Sequence, residues 1–160
     1  MTTHEKLIAL LEQHNARYTL MAHEATGKCE AVAAIRGTEV GQGAKALVCH
    51  VKGNGVKQHV LAILPADQQA DLSKVAAAVG GTRASLASPA EVDALTGCVS
   101  GAIPPFSFHP DLQPLVDPLL FARYDEIAFN AGRLDKSVVL KTTDYQRLCQ
   151  AQVVPIIRQA

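Results

Sequence analysis

The chain has 160 residues, enough for one domain with a substantial core, and its fifteen Lys and Arg balance fifteen Asp and Glu. Zero net charge argues against a broad nucleic-acid face, DNA included, and against binding by bulk electrostatics, so a polyanionic partner has to be gripped locally. No apolar run approaches the roughly 20 residues that span a bilayer, and Met1-Thr2-Thr3-His4-Glu5 lacks the parts of a signal peptide, so a cytoplasmic protein with no membrane partner is expected.

Thr2 and Glu5 have capping-box spacing ahead of Leu7, Ile8, Leu10 and Leu11, which predicts a first helix ending near His14. Residues 17–22 alternate as a strand. Residues 26–36 are rich in helix formers and stop at Gly37, a glycine C-cap. Two apolar runs, 44–52 and 56–64, flank Gly53-Asn54-Gly55, and Asn-Gly is the strongest short hairpin signal because both residues tolerate positive φ. A two-residue Asn54-Gly55 turn pairs Lys52 with Lys57, His50 with His59 and Val48 with Leu61 on one side of the sheet. Lys45 then shares the other side with Leu47, Cys49 and Val51.

Residues 71–79 read as a helix closed by Gly80-Gly81, and 83–87 as a short strand. Ser88-Pro89-Ala90-Glu91 is a helix start with Ser as cap, Pro in the first turn and Glu at the third position; this helix ends at Gly97. From Gly97 to Ser107, glycines and the pair Pro104-Pro105 exclude helix and central strand, leaving an ordered loop. Strands are predicted at 115–117, 126–131 and 137–140, and Thr143-Asp144-Tyr145-Gln146 reads as a second capping box opening a last helix. No linker or repeat divides residues 1–160, so the expectation is one α+β domain with a mixed sheet flanked by helices.

Lys45 is the one charge in the apolar stretch Ala44 to Cys49. On an apolar strand face its ammonium needs an anion, a carbonyl dipole or an escape to solvent. Anion binding, carbonyl polarisation and Schiff-base chemistry are therefore open to it, beside a purely structural strand-end role. The Gly97–Ser107 loop offers amides without bulky side chains, which suits oxyanion binding as well as a plain connection. His23 could orient a substrate or act as acid or base; a hydrogen-bonded structural histidine is the plainer reading.

His50 and His59 could pair across the hairpin, but two histidines without a third ligand do not make a zinc site, and the four cysteines show no Cys-x-x-Cys pair, so no metal site is expected. Hydrolase elbows, phosphate-binding Gly-Lys loops and dinucleotide fingerprints are missing from the sequence, so no cofactor is expected. The basic residues available for phosphate contacts are Lys28, Lys52 and Lys57, all of which serve equally well as solvated surface charges.

His23 and Thr26 after the first strand, Gly43-Ala44-Lys45-Ala46-Leu47-Val48 opening the hairpin, Gly97-x-x-x-Gly101-x-x-x-Pro105, and Phe129-Asn130-Ala131-Gly132-Arg133 together resemble the YbaK/EbsC family, free-standing relatives of the prolyl-tRNA synthetase editing domain, and most of all its YeaK-like branch. The resemblance covers nearly the whole chain. It implies a metal-independent trans-acting deacylase that removes a wrong, small amino acid from tRNA. Lys45 is implied to hold the acceptor end or the aminoacyl group. Gly97, Gly101 and Pro105 are implied to supply backbone contacts at the ester, with His23 and Thr26 beside the substrate. Ala46, Leu47, Ala102 and Ile103 would form a small side-chain pocket that sorts by size. The family pattern continues Pro-x-Gly where this chain has Pro105-Phe106-Ser107, so Ser107 would either add a hydroxyl to the pocket or merely replace a glycine that is not essential. The implied partners are a misacylated tRNA acceptor end and an aminoacyl-tRNA synthetase. A non-catalytic module that binds the same acceptor end, or a synthetase, is the alternative from a different class.

Overall fold

The hairpin dominates the architecture. The computed structural model, which describes residues 1–26 and 28–159, pairs β2 (Ala44–Gly53) with β3 (Val56–Pro65) in the expected register, Lys52 opposite Lys57, His50 opposite His59 and Val48 opposite Leu61. Asn54 and Gly55 carry φ of 54° and 76°, the left-handed conformation this turn demands. Residues 60–64 of β3 are wholly buried, because the strand is central and covered on both faces, which explains its unbroken apolar run.

Around the hairpin the order of elements is α1 (Thr3–Gln13), β1 (Tyr18–Ala22), α2 (Cys29–Arg36), a 3₁₀ turn (Val40–Gln42), β2, β3, α3 (Leu72–Ala78), β4 (Arg83–Leu86), α4 (Pro89–Thr96), β5 (Leu112–Val116), α5 (Leu119–Ala122), β6 (Glu126–Asn130), β7 (Lys136–Lys141), α6 (Thr142–Leu148) and β8 (Gln152–Val153). The sheet expected to be single is divided in two. A mixed five-stranded sheet runs β4-β2-β3-β5-β8, and a three-stranded antiparallel sheet runs β1-β7-β6. A single bridge, Gly43 to Ala128, joins β2 to β6.

One face of the larger sheet, through Ala46, Val48, Leu61 and Ile63, packs with α1, α4 and the small sheet into the main core. The other face, through Cys49, Val51, Val60 and Ala62, is closed by Val75 and Ala76 of α3 and by Ile156. The capping boxes at Thr2/Glu5 and Ser88/Glu91 both form. The one read at Thr143–Gln146 does not: α6 begins at Thr142 after Lys141, with no side-chain cap, so Thr143 lies inside the first turn, where its hydroxyl accepts Arg17 Nη2–H at 3.1 Å. The α2 helix begins at Cys29 rather than Thr26; the Gly27 position of that prediction lies outside the described residues. Three short elements escaped prediction, the 3₁₀ turn, α5 and β8, being three, four and two residues long. No helix among the described residues is long and apolar enough to cross a membrane.

Candidate active site

Hydrogen-bond alternation along β2 leaves one stretch of its edge open. With Asn54-Gly55 as the turn, Gly53 and Val56 form a hydrogen-bonded pair, so Val51, Cys49, Leu47 and Lys45 also aim their amides at β3. The even-numbered residues aim theirs at the opposite edge. There β4 covers Lys52 to Cys49, and Ala87 N–H takes the Val48 carbonyl at 2.9 Å. Ala46, the next residue on that side, has no backbone partner among the described residues.

A cavity of about 230 Å³ lies in this gap. Ala44 to Leu47 form one wall and Ala128, Phe129 and Asn130 of β6 another; Cys29, Val32, Ala33 and Arg36 of α2 cover it, and Ser100, Gly101 and Ile103 close the end. The half-buried Lys45 ammonium has no ion-pair or hydrogen-bond partner among the described residues. Arg36 is the second cation. It receives no carboxylate; burial pushes its guanidinium down to about 10, so it remains charged near neutrality. No Asp or Glu lines the cavity, whose fixed charge is therefore positive.

The loop at the cavity mouth is held from behind. Ala102 N–H donates to Val99 O at 3.1 Å, closing a turn in which Gly101 has φ +89°, a conformation open to glycine and costly for other residues. Gly101 O accepts Asn130 Nδ2–H at 2.7 Å, and the N–H groups of Ser100 and Gly101 donate to no protein acceptor among the described residues. Asn130 Oδ1 in turn accepts Arg36 Nη2–H at 2.9 Å. The Ser137 hydroxyl receives Arg36 Nε–H at 2.9 Å and lies 3.2 Å from Asn130 Oδ1 and 2.7 Å from His23 Nε2. The cavity thus has a partly buried polar frame, His23–Ser137–Arg36–Asn130–Gly101, along one side.

Of the residues singled out in the sequence, Lys45, Ala46, Leu47, Gly101 and Ile103 line this cavity. His23 and Thr26 stand behind it: His23 through Ser137, Thr26 through its carbonyl, 3.4 Å from Asn130 Nδ2. Ala102 is buried in the core, Gly97 caps α4 against Thr3, and Pro105 O accepts the Tyr145 hydroxyl at 2.9 Å, so these three shape the loop from outside the cavity. Lys28 is exposed at the start of the covering helix. Lys52 and Lys57 lie at the hairpin tip, about 23 Å along β2 from Lys45.

Ser107 faces elsewhere. Its hydroxyl donates to Leu112 O at 2.6 Å, and it borders a separate, larger depression of about 670 Å³ with Phe108, His109 and Arg147. Arg147 is engaged there by Asp144 and the His14 carbonyl, so that depression lacks the free cations of the first. Arg36 and Asn130 are the site residues that sequence reasoning missed. The Phe129-Asn130-Ala131-Gly132-Arg133 run held the signal for Asn130; Arg36 reads as an ordinary last-turn cation favourable to the helix dipole.

Residues 23–148 match the family model for the aminoacyl-tRNA editing domain. The Escherichia coli K12 protein described as multifunctional Ser/Thr-tRNA deacylase ProXp-y is 70% identical over 158 residues, covering 99% of this chain and 95% of that protein. The crystal structure of a protein proposed as a trans-editing enzyme for prolyl tRNA synthetase superposes with a TM-score of 0.81 at 25% identity, over 99% of both chains. The hypothetical protein APE2540 shares the fold at a TM-score of 0.84 and 19% identity, over 96% of this chain and 99% of its own.

Proposed function

Because the chain belongs to the aminoacyl-tRNA editing domain family, we propose that the Lys45 cavity is where it hydrolyses the ester of misacylated tRNA, with serine and threonine as the amino acids removed. The activity itself, trans-editing deacylation of aminoacyl-tRNA, follows from the family and from the 70% identical deacylase. The observation that carries the assignment to this cavity is its composition: two cations, unpartnered loop amides and an open strand edge around a space sized for a small side chain.

Water adds to the ester carbonyl carbon, the carbonyl oxygen becomes an oxyanion, and the ribose oxygen leaves with a proton. Only groups that bind the oxyanion better than the ground-state carbonyl accelerate this step. Lys45, with the Ser100 and Gly101 N–H groups, supplies such donors, and Asn130 fixes the loop so that little reorganisation is needed. The substrate's α-ammonium finds no carboxylate, which leaves carbonyl oxygens such as Ala46 O at the open edge as its acceptors. Ala46, Leu47 and Ile103 bound the side-chain space. Lys28, beside the covering helix, is the nearest of the three basic candidates for a phosphate of the acceptor end; Lys52 and Lys57 would meet more distant phosphates. A synthetase that supplies tRNA selectivity, and a cytoplasmic location, belong to the same reading.

The test is deacylation of a panel of Ser-, Thr- and Ala-charged tRNAs. The parent protein is expected to release serine and threonine, and Lys45→Ala to lower the rate about 10²- to 10³-fold, as for loss of one oxyanion donor. Unchanged turnover in Lys45→Ala would move the chemistry out of this cavity.

A further inference from the structure

His50 and His59 face each other in the β2–β3 ladder, their rings stacked with centroids 4.5 Å apart and planes within 6°. By the alternation described above they are a non-hydrogen-bonded pair, the kind whose side chains approach most closely. A third donor arrives from α4. Glu91 Oε2 lies 2.6 Å from His59 Nε2, and one potential ligand atom from each of the three residues lies within 4.8 Å of the others. All three side chains are half-buried.

We propose that His50, His59 and Glu91 form a binding site for a borderline divalent transition-metal ion, with zinc as the reference case, separate from the deacylation cavity. Two imidazoles and one carboxylate are a donor set that zinc accepts, whereas calcium and magnesium require oxygen ligands. The residues sit on rigid supports: two adjacent strands and a helix start locked by Pro89 and by the reciprocal Ser88–Glu91 cap. With metal–ligand bonds near 2.1 Å, tetrahedral coordination sets ligand atoms about 3.4 Å apart. The 2.6 Å contact must open and the 4.8 Å limit close by amounts that His side-chain rotation covers.

For His59 to ligate through Nε2, its proton moves to Nδ1 and the metal takes its place between imidazole and carboxylate. Lys52 and Lys57, the next pair on the same face of the hairpin, oppose a cation there. His50 lies five residues from Lys45, about 17 Å along the strand and on its other face, so the ion takes no part in ester hydrolysis. Its effect is to clip the start of α4 to the hairpin. That helix ends at Gly97, where the loop carrying Gly101 begins.

The experiment titrates the metal-free protein with Zn²⁺ by calorimetry and with Co²⁺ by absorption, alongside His50→Gln, His59→Gln and Glu91→Gln. One site per chain is expected, weakened about tenfold or more in each variant, as loss of a ligand demands. Glu91→Gln keeps an amide able to close the cap, so its metal-free melting temperature should match the parent's while its metal-induced rise in melting temperature disappears. No stoichiometric binding in the micromolar range would overturn the proposal. So would affinity unchanged in His59→Gln and Glu91→Gln, or a Co²⁺ spectrum with thiolate charge-transfer bands, which would put the ion on a cysteine.

Discussion

Asn130 uses its whole side-chain amide to hold other groups still. Its oxygen receives Arg36, and its nitrogen donates to the carbonyl of Gly101. Asn130→Asp retains the acceptor for Arg36 but turns an oxygen towards the Gly101 carbonyl, so the loop loses its tether while the guanidinium keeps a partner. Deacylation is expected to fall about 10- to 100-fold, mainly in the rate of the bound step, because misplaced donors cost turnover more than binding. Single-turnover rates set against melting temperature separate this outcome from simple unfolding. Lys45 was conspicuous in the sequence because a charge in an apolar run demands a reason. Arg36 was not, since an arginine in the last turn of a helix is locally favourable and only the tertiary structure reveals that it lacks a carboxylate.

Elements were legible where local chemistry alone determines them. The hairpin register followed from Asn54-Gly55, and the first and fourth helices from reciprocal caps that satisfy their own amides. The sixth helix shows the limit of that logic. Asp144 lies in its first turn, buried against Arg17 from just before β1 and paired with Arg147 one turn along the same helix, so it serves ion pairs and no cap. Likewise β8 exists because of parallel pairing with β5, and a distant carboxylate holds the chain just after it, neither visible in a two-residue segment. That carboxylate is Asp117, 2% exposed, which accepts the N–H groups of Leu119, Ile156 and Ile157 at 2.9, 2.8 and 3.2 Å. Asp117→Ala strands three amides, and a loss of about 3 kcal/mol in urea unfolding is expected. Leu115 and Ile156 of the second core should loosen with it.

Across the whole molecule, acid stability should depend on Asp144. The Arg17 guanidinium, then the Arg17 backbone N–H, holds its carboxyl down to about 2, below its ordinary 3.8. A carboxylate with a lowered folded value binds fewer protons folded than unfolded. Its contribution is therefore complete above about pH 4 and drains away as pH falls towards 2. Asp144→Asn should be less stable than the parent at pH 6, and the gap should narrow through that window, read as unfolding free energy against pH. Near zero net charge, the fold also has no long-range field with which to collect tRNA. On the proposed reading, selectivity rests on the cavity and on the few cations near it.

The gap in β2 beside the Lys45 cavity is also an unfinished piece of sheet. A bare strand edge invites a strand from another chain to complete it, the first step of aggregation. Here the unpaired template is limited to the residues around Ala46, between the end of β4 cover and the Gly43–Ala128 bridge, and it is buried, with α2 lying across it. Lysine is the residue natural sheets use to blunt such edges. Lys45 therefore serves as guard of that edge, whatever else its ammonium meets: its charge discourages the one kind of ligand, another backbone, that an open strand would otherwise prefer.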